Sequence, residues 1–190
     1  MLGAILERLD GASYVESLRR RLFAPLGMKD TYMDTAAGMA PAVSTFYEQS
    51  DEDPLGLDPF VPDHALKSGQ PTGFGGGHST AADMFRFLRG FRTGRLLGPE
   101  LTELVIAPRI DVDGRGAAFW TYGMRARTVN GVEVRDHRGG GRANVAMLWE
   151  PDYSVVVLAN STPPPANAFA DEIAAFIARQ QRRVEVGREK

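Results

Sequence analysis

The sequence predicts an α+β fold in which an antiparallel sheet near the C-terminus packs with helices. The order of patterns is helices, a long proline-broken stretch, helices, strands and a terminal helix. It lacks the strand–helix alternation that builds a parallel sheet. Two turn pairs, Asn130-Gly131 and Pro151-Asp152, separate runs of strand formers, and Asn-Gly is the strongest short-range hairpin signal. At 190 residues the chain is long enough for one domain with a sizeable core. Within it, helices and loop are expected over 1–118, strands and the last helix over 119–184, and a frayed tail over 185–190.

Leu2, Ile5, Leu6 and Leu9 fall at i, i+3, i+4 and i+7, which reads as an amphipathic helix stopped by Gly11. That helix starts without a cap or an approach segment. Ser13 and Glu16 have capping-box spacing and open a second helix through Val15, Leu18 and Leu22, closed at Pro25-Leu26-Gly27-Met28. Arg19-Arg20-Arg21 spreads around that helix as a solvated face. From 30 to 77, Pro41, Pro54, Pro59, Pro62 and Pro71 break every period, and Asp51-Glu52-Asp53 adds an acidic knot. This predicts long loop with one or two short strands, and a connection of that length is usually functional or mobile.

Thr80 and Asp83 again have capping-box spacing, and Met84, Phe87, Leu88 and Phe91 form the buried stripe of a third helix ended by Gly94. Pro99 opens a fourth, with Leu101, Leu104 and Val105 expected to face inward. Strands are expected from Phe119 to Thr128, Val132 to Arg135, Val145 to Trp149 and Val155 to Leu158. After Pro163-Pro164-Pro165 a last helix carries Phe169, Ile173, Phe176 and Ile177 on one face. The charged residues from Arg182 onward are expected to fray.

A net charge of −2 and a pI near 5.9 give no electrostatic footprint for nucleic acid. No apolar run approaches a membrane span, and no export-signal pattern is visible. Without cysteine there are no disulfides or thiolate metal sites. His64, His78 and His137 lack ligand spacing, so neither a metal nor another cofactor is expected.

Two stretches offer chemistry. Gly77-His78-Ser79-Thr80-Ala81 comes within one methyl of a G-x-S-x-G nucleophile elbow, and Asp111 and His137 follow in triad order. An elbow must follow a buried strand, however, and residues 69–77 are mostly glycine and proline-broken. Ser79 and Thr80 read better as helix caps. The second stretch is Asp136-His137-Arg138-Gly139-Gly140-Gly141, a histidine at a strand end beside bare backbone. Glycine permits close approach of a substrate, and strand N–H groups there can donate to an oxyanion. The plain alternative is a glycine-rich hairpin loop with a surface histidine.

Four segments, in order, resemble the C-terminal part of the serine β-lactamase and penicillin-binding-protein-like family. The nearest branch is that of class C β-lactamases, D-alanyl-D-alanine carboxypeptidases and esterases. Leu2 to Glu7 with Gly11-Ala12-Ser13-Tyr14 is similar to a helix and turn of that family. Phe23 to Thr31 is similar to its "PLGM-x-x-T" segment, and Gly75 to Met84 to its "GG-x-x-ST-x-x-D" helix start. Tyr122-Gly123, His137-Arg138-Gly139-Gly140 and Val155 to Asn160 resemble its closing sheet.

The resemblance implies a β-lactamase/transpeptidase-like fold, here incomplete, and acyl transfer through a serine ester. It gives His137 the Lys/His position of a Lys/His-x-Gly strand, Gly139 the closing glycine, and the Gly140 N–H a place in the oxyanion hole. Arg138 departs from the usual Thr or Ser, and its guanidinium either grips a substrate carboxylate or points to solvent. Substrates of the family type are small esters, amides or β-lactams. Two family motifs are absent. Lys29, Lys67 and Lys190 follow Leu26, His64 and Gly187 by three positions, so no Ser-x-x-Lys exists. No tyrosine opens a Tyr-x-Asn.

The expectation is therefore the C-terminal portion of a serine hydrolase, inactive alone, whose partner is a missing N-terminal segment. The alternative is a non-enzymatic interaction module that self-associates through an open sheet edge and apolar helix faces.

Overall fold

The structure is a computed structural model that describes residues 1–33, 44–49, 60–63, 73, 75–140, 142–150, 152–162 and 165–188. Pro41, Asp51-Glu52-Asp53, Pro54, Pro59, His64, Lys67, Pro71, Gly141 and Pro151 lie outside the described residues. The helices are α1 (Leu2–Asp10), α2 (Tyr14–Leu18), α3 (Ala24–Leu26), α4 (Ala81–Arg92), α5 (Pro99–Ile106) and α6 (Ala166–Arg188), with a π-helical turn at Arg19–Phe23. The strands are β1 (Tyr32–Met33), β2 (Phe46–Gln49), β3 (Phe60–Asp63), β4 (Gly77–His78), β5 (Ile110–Asp111) and β6 (Ala118–Trp120). They continue with β7 (Arg125–Val129), β8 (Val132–Gly139), β9 (Ala143–Leu148), β10 (Tyr153–Leu158) and β11 (Ser161–Thr162). The chain divides into two compact units, Met1–Phe87 with Asn160–Pro163, and Leu88–Ala159 with Pro164–Lys190.

In the first unit the local signals act as expected. Gly11 adopts a left-handed φ of 64° and its N–H donates to the Glu7 carbonyl at 2.9 Å, ending α1. The Glu16 N–H donates to Ser13 Oγ at 3.2 Å, starting α2. Yet Leu2, Ile5 and Leu9 stay exposed, and α1 buries none of its residues. The arginine run does more than face water. Arg20 and Arg21 pair with Asp10, and Arg19 pairs with Glu16. The hydrogen bond from Arg21, aided by Ser17 and Arg20, holds the Asp10 carboxyl well below the usual range. The stretch expected to be long loop with one or two short strands holds four among its described residues. β1 pairs antiparallel with β4, β2 pairs antiparallel with β3, and β11 lies parallel to β2.

The second unit is built on a six-stranded sheet ordered β10-β9-β8-β7-β6-β5, with every neighbour antiparallel. The Asn130-Gly131 hairpin forms with φ 49° and 86°, joining β7 to β8. The strand expected from Phe119 to Thr128 is broken into β6 and β7 by a tight turn, Thr121 to Met124, in which Gly123 has a φ of 97°. β5 was also unforeseen, although Asp113-Gly114 lies in the turn that links it to β6.

Two helices bury faces other than those expected. α5 buries Thr102 and Ile106, leaving Leu101 and Leu104 half exposed, and the buried Thr102 hydroxyl donates to the Gly98 carbonyl at 2.7 Å. A hydroxyl satisfied in this way buries at little cost. α6 lays Ala166, Ala170, Ala174 and Ala178 inward, each no more than 1% exposed, while Phe169, Ile173 and Phe176 face outward. Ile177 alone of the expected face packs against the core, which comprises Val132, Val134, Ala146, Leu148 and Val155 with the α6 alanines. Small side chains at i, i+4, i+8 bring a helix close to a sheet, so size decides which apolar face goes in. α6 also continues to Arg188, beyond the expected fraying point.

Candidate active site

Strand alternation divides β8 between two faces. Val132, Val134, Asp136 and Arg138 point toward α6, whereas Arg135 and His137 point to the other side. There the Arg135 Nε donates to the Ile106 carbonyl at the end of α5 at 2.9 Å. β7 ends at Arg125, opposite Asp136. Beyond that point, among the described residues, His137, Arg138 and Gly139 pair only with β9, opposite Val145, Asn144 and Ala143. One side of their backbone is therefore released from the sheet where the histidine sits.

His137 is exposed, and its Nδ1 lies 2.8 Å from the Gly123 carbonyl. A carbonyl can only accept, so Nδ1 carries the proton, and in the neutral ring the Nε2 lone pair faces outward. The turn that supplies this carbonyl is pinned by the Thr121 N–H to the Met124 carbonyl and by the Tyr122 N–H to the Val105 carbonyl. Arg109 stacks over the Tyr122 ring with its guanidinium carbon 4.2 Å from the centroid. Sequence reasoning found His137 but not the carbonyl that fixes its tautomer, fourteen residues earlier.

Gly139 and Gly140 are both exposed. Gly140 has a left-handed φ of 53°, and a Cβ there would meet no atom of the described residues within 4 Å. Arg138 neither reaches toward His137's face nor dangles in solvent. Its guanidinium pairs with Asp171 of α6 at 2.7 Å, on the opposite face of the strand.

That pair belongs to a network behind the site. Asp136 is 1% exposed and receives two hydrogen bonds from Arg125, at 3.0 and 2.9 Å, and one from the Arg127 Nε at 2.5 Å. Arg127 also reaches Asp171 at 2.6 Å. Burial alone would raise the Asp136 carboxyl, but the two guanidinium groups outweigh it and hold the acid below its ordinary range.

Among the described residues Ser79 hydrogen-bonds to Thr31 and to the Thr80 carbonyl rather than to a histidine. Its Oγ lies 2.7 Å from Thr31 Oγ1, and Thr31 in turn donates to the fully buried Asp83 at 2.8 Å. Asp83 also accepts the Asp30 N–H at 2.8 Å and pairs with Arg86, while its own N–H donates to Thr80 Oγ1 at 3.2 Å. The strand before Ser79 is two residues long and antiparallel to β1, which removes the structural basis for a nucleophile elbow. His78 stacks on Tyr32, with ring centroids 5.5 Å apart.

A family model described as Beta-lactamase matches residues 1–180. The chain belongs to the Beta-lactamase family. Among curated relatives, Protein Rv1367c of Mycobacterium tuberculosis is 30% identical over 131 residues, covering 63% of this chain and 33% of the relative. The chain thus spans about a third of the length of that relative. The octameric penicillin-binding protein homologue from Pyrococcus abyssi superposes with a TM-score of 0.77 at 24% identity, covering 93% of this chain and 40% of that one. D-amino acid amidase from Ochrobactrum anthropi, complexed with D-phenylalanine, gives 0.72 at 18% identity, covering 95% and 56% respectively. The Beta-lactamase-family fold, with helices and an antiparallel sheet of the penicillin-binding-protein type, is therefore that of this chain. No helix among the described residues is long and apolar enough to cross a membrane.

Proposed function

We propose that this chain forms the substrate-facing strand of a serine hydrolase that cleaves a small ester or amide through an acyl-serine intermediate. The observation that carries the reading is His137, whose ring is aimed by the Gly123 carbonyl where β8 parts from β7. In the reaction a serine oxygen bonds to the substrate carbonyl carbon and its proton passes to the leaving group. Water then releases the acyl group. The neutral His137 Nε2 accepts a hydrogen bond from the hydroxyl that carries this proton, and the Gly140 N–H donates to the oxyanion. Gly139 keeps the strand bare for the substrate. Arg138, engaged by Asp171, serves to hold β8 against α6.

The nucleophile of this mechanism belongs to a Ser-x-x-Lys segment, which the 190 residues do not contain. The purified chain is expected to remain unlabelled by a fluorophosphonate when read by intact mass, and to hydrolyse esters at background. Co-expression with a Ser-x-x-Lys-bearing N-terminal segment of a family member is expected to restore labelling, on the added segment. A single adduct on this chain would instead reveal a nucleophile of its own and overturn the assignment.

A second reading, an interaction module without catalysis, is favoured by one observation. Among the described residues no strand pairs with the outer edge of β10, and Phe169, Ile173 and Phe176 stand exposed on α6. Light scattering at rising concentration is expected to show self-association on this reading. A monodisperse monomer that leaves a hydrophobic dye dark would remove it.

A further inference from the structure

At the far end of β8 from His137 the second unit carries a different kind of feature. The tip of the β7–β8 hairpin and the C-terminal half of α6 border an open recess of about 370 Å³ whose described lining residues are Asn130, Arg179, Arg182 and Arg183. Five residues of strand, about 16 Å, separate Val132 beside the tip from His137. The recess is therefore distinct from the candidate active site.

Its chemistry follows from spacing. Arg179, Arg182 and Arg183 stand at i, i+3 and i+4, which places three cationic side chains on one helical face. Arg125, Arg127, Arg135 and Arg138 on the sheet all pair with carboxylates. No described carboxylate pairs with the three on α6. Like charges at these spacings repel, and the helix dipole at the C-terminal end offsets only part of that cost.

The hairpin tip is fixed independently, because the Asn130 Nδ2 donates to the Ala175 carbonyl at 3.4 Å. Its second N–H bonds to no described residue. Forked, permanently charged donors on the rim of one recess, with an amide beside them, suit a group with several acceptor oxygens and more than one negative charge. We propose that this recess binds a phosphate-type oxyanion, either a diphosphate or a phosphomonoester.

The test is calorimetric titration of the full chain with inorganic pyrophosphate at low salt, alongside flotation with phosphatidylcholine vesicles with and without phosphatidic acid. The native chain is expected to bind saturably. The R179Q/R183Q variant is expected to bind roughly tenfold more weakly or worse. R89Q/R115Q, which removes the same charge from exposed positions elsewhere, is expected to bind like the native chain, and thermal melts of both variants check their folding.

Pyrophosphate binding without vesicle capture identifies a free ligand as the source of the group. Capture only by vesicles containing phosphatidic acid, lost in R179Q/R183Q, identifies a lipid headgroup. Failure of the native chain to bind either probe overturns the proposal. So does equal weakening in the R89Q/R115Q control.

Discussion

Asp136→Ala is expected to destabilise the second unit by about 3 kcal/mol, the lower end of what removing one partner from a buried ion pair costs. The carboxylate is 1% exposed, and its loss leaves Arg125 and Arg127 with their main counter-charge gone. Both arginines keep about a fifth of their side chains in solvent, which moderates the penalty. Urea unfolding of the native and variant chains measures the difference. A cost below about 1 kcal/mol would mean that water, not Asp136, neutralises the guanidinium groups.

The pH dependence has a definite sign. Because the folded carboxyl is held below its ordinary range, the pair stabilises the fold above the ordinary carboxylate pKa of about 4. That stability is lost as pH falls below this value and through the lower folded one. Asp10, Glu16 and Asp111 are lowered too and add their own acid sensitivity. The Asp136 share is therefore the difference between native and variant stability curves, and it should shrink steadily under acid.

Local chemistry made much of this fold legible. Asn130-Gly131, Ser13, Thr80, Gly11 and Gly94 each fix a turn or helix end through atoms within a few residues, and each acts where the sequence placed it. What was not legible depends on distant partners or on side-chain size. α6 has two apolar sides, and the flatter alanine side packs on the sheet because it permits closer approach. α5 turns its threonine inward, where the Gly98 carbonyl satisfies the hydroxyl. The site divides in the same way. A histidine ahead of three glycines is visible in the sequence, but the Gly123 carbonyl that orients it, and the Arg–Asp network behind its strand, exist only once β7 and α6 lie beside β8.

The other large effect is expected at Asp83, where two separated sequence motifs meet. Asp83→Ala should cost about 3 kcal/mol, since it strands a backbone N–H from Asp30 and a hydroxyl from Thr31 and unpairs Arg86. The "PLGM-x-x-T" and "ST-x-x-D" segments thus have a shared physical reason: the threonine that ends one hydrogen-bonds the aspartate and serine of the other. Thr31→Val keeps the shape and removes the hydroxyl, so a smaller loss of about 1 kcal/mol is expected. Because both changes break the same bond, the T31V/D83A double variant should cost less than the sum of the two by roughly 0.5–1 kcal/mol. Strict additivity in urea unfolding would show that the Thr31–Asp83 bond contributes nothing, and that the two motifs are held by their separate surroundings.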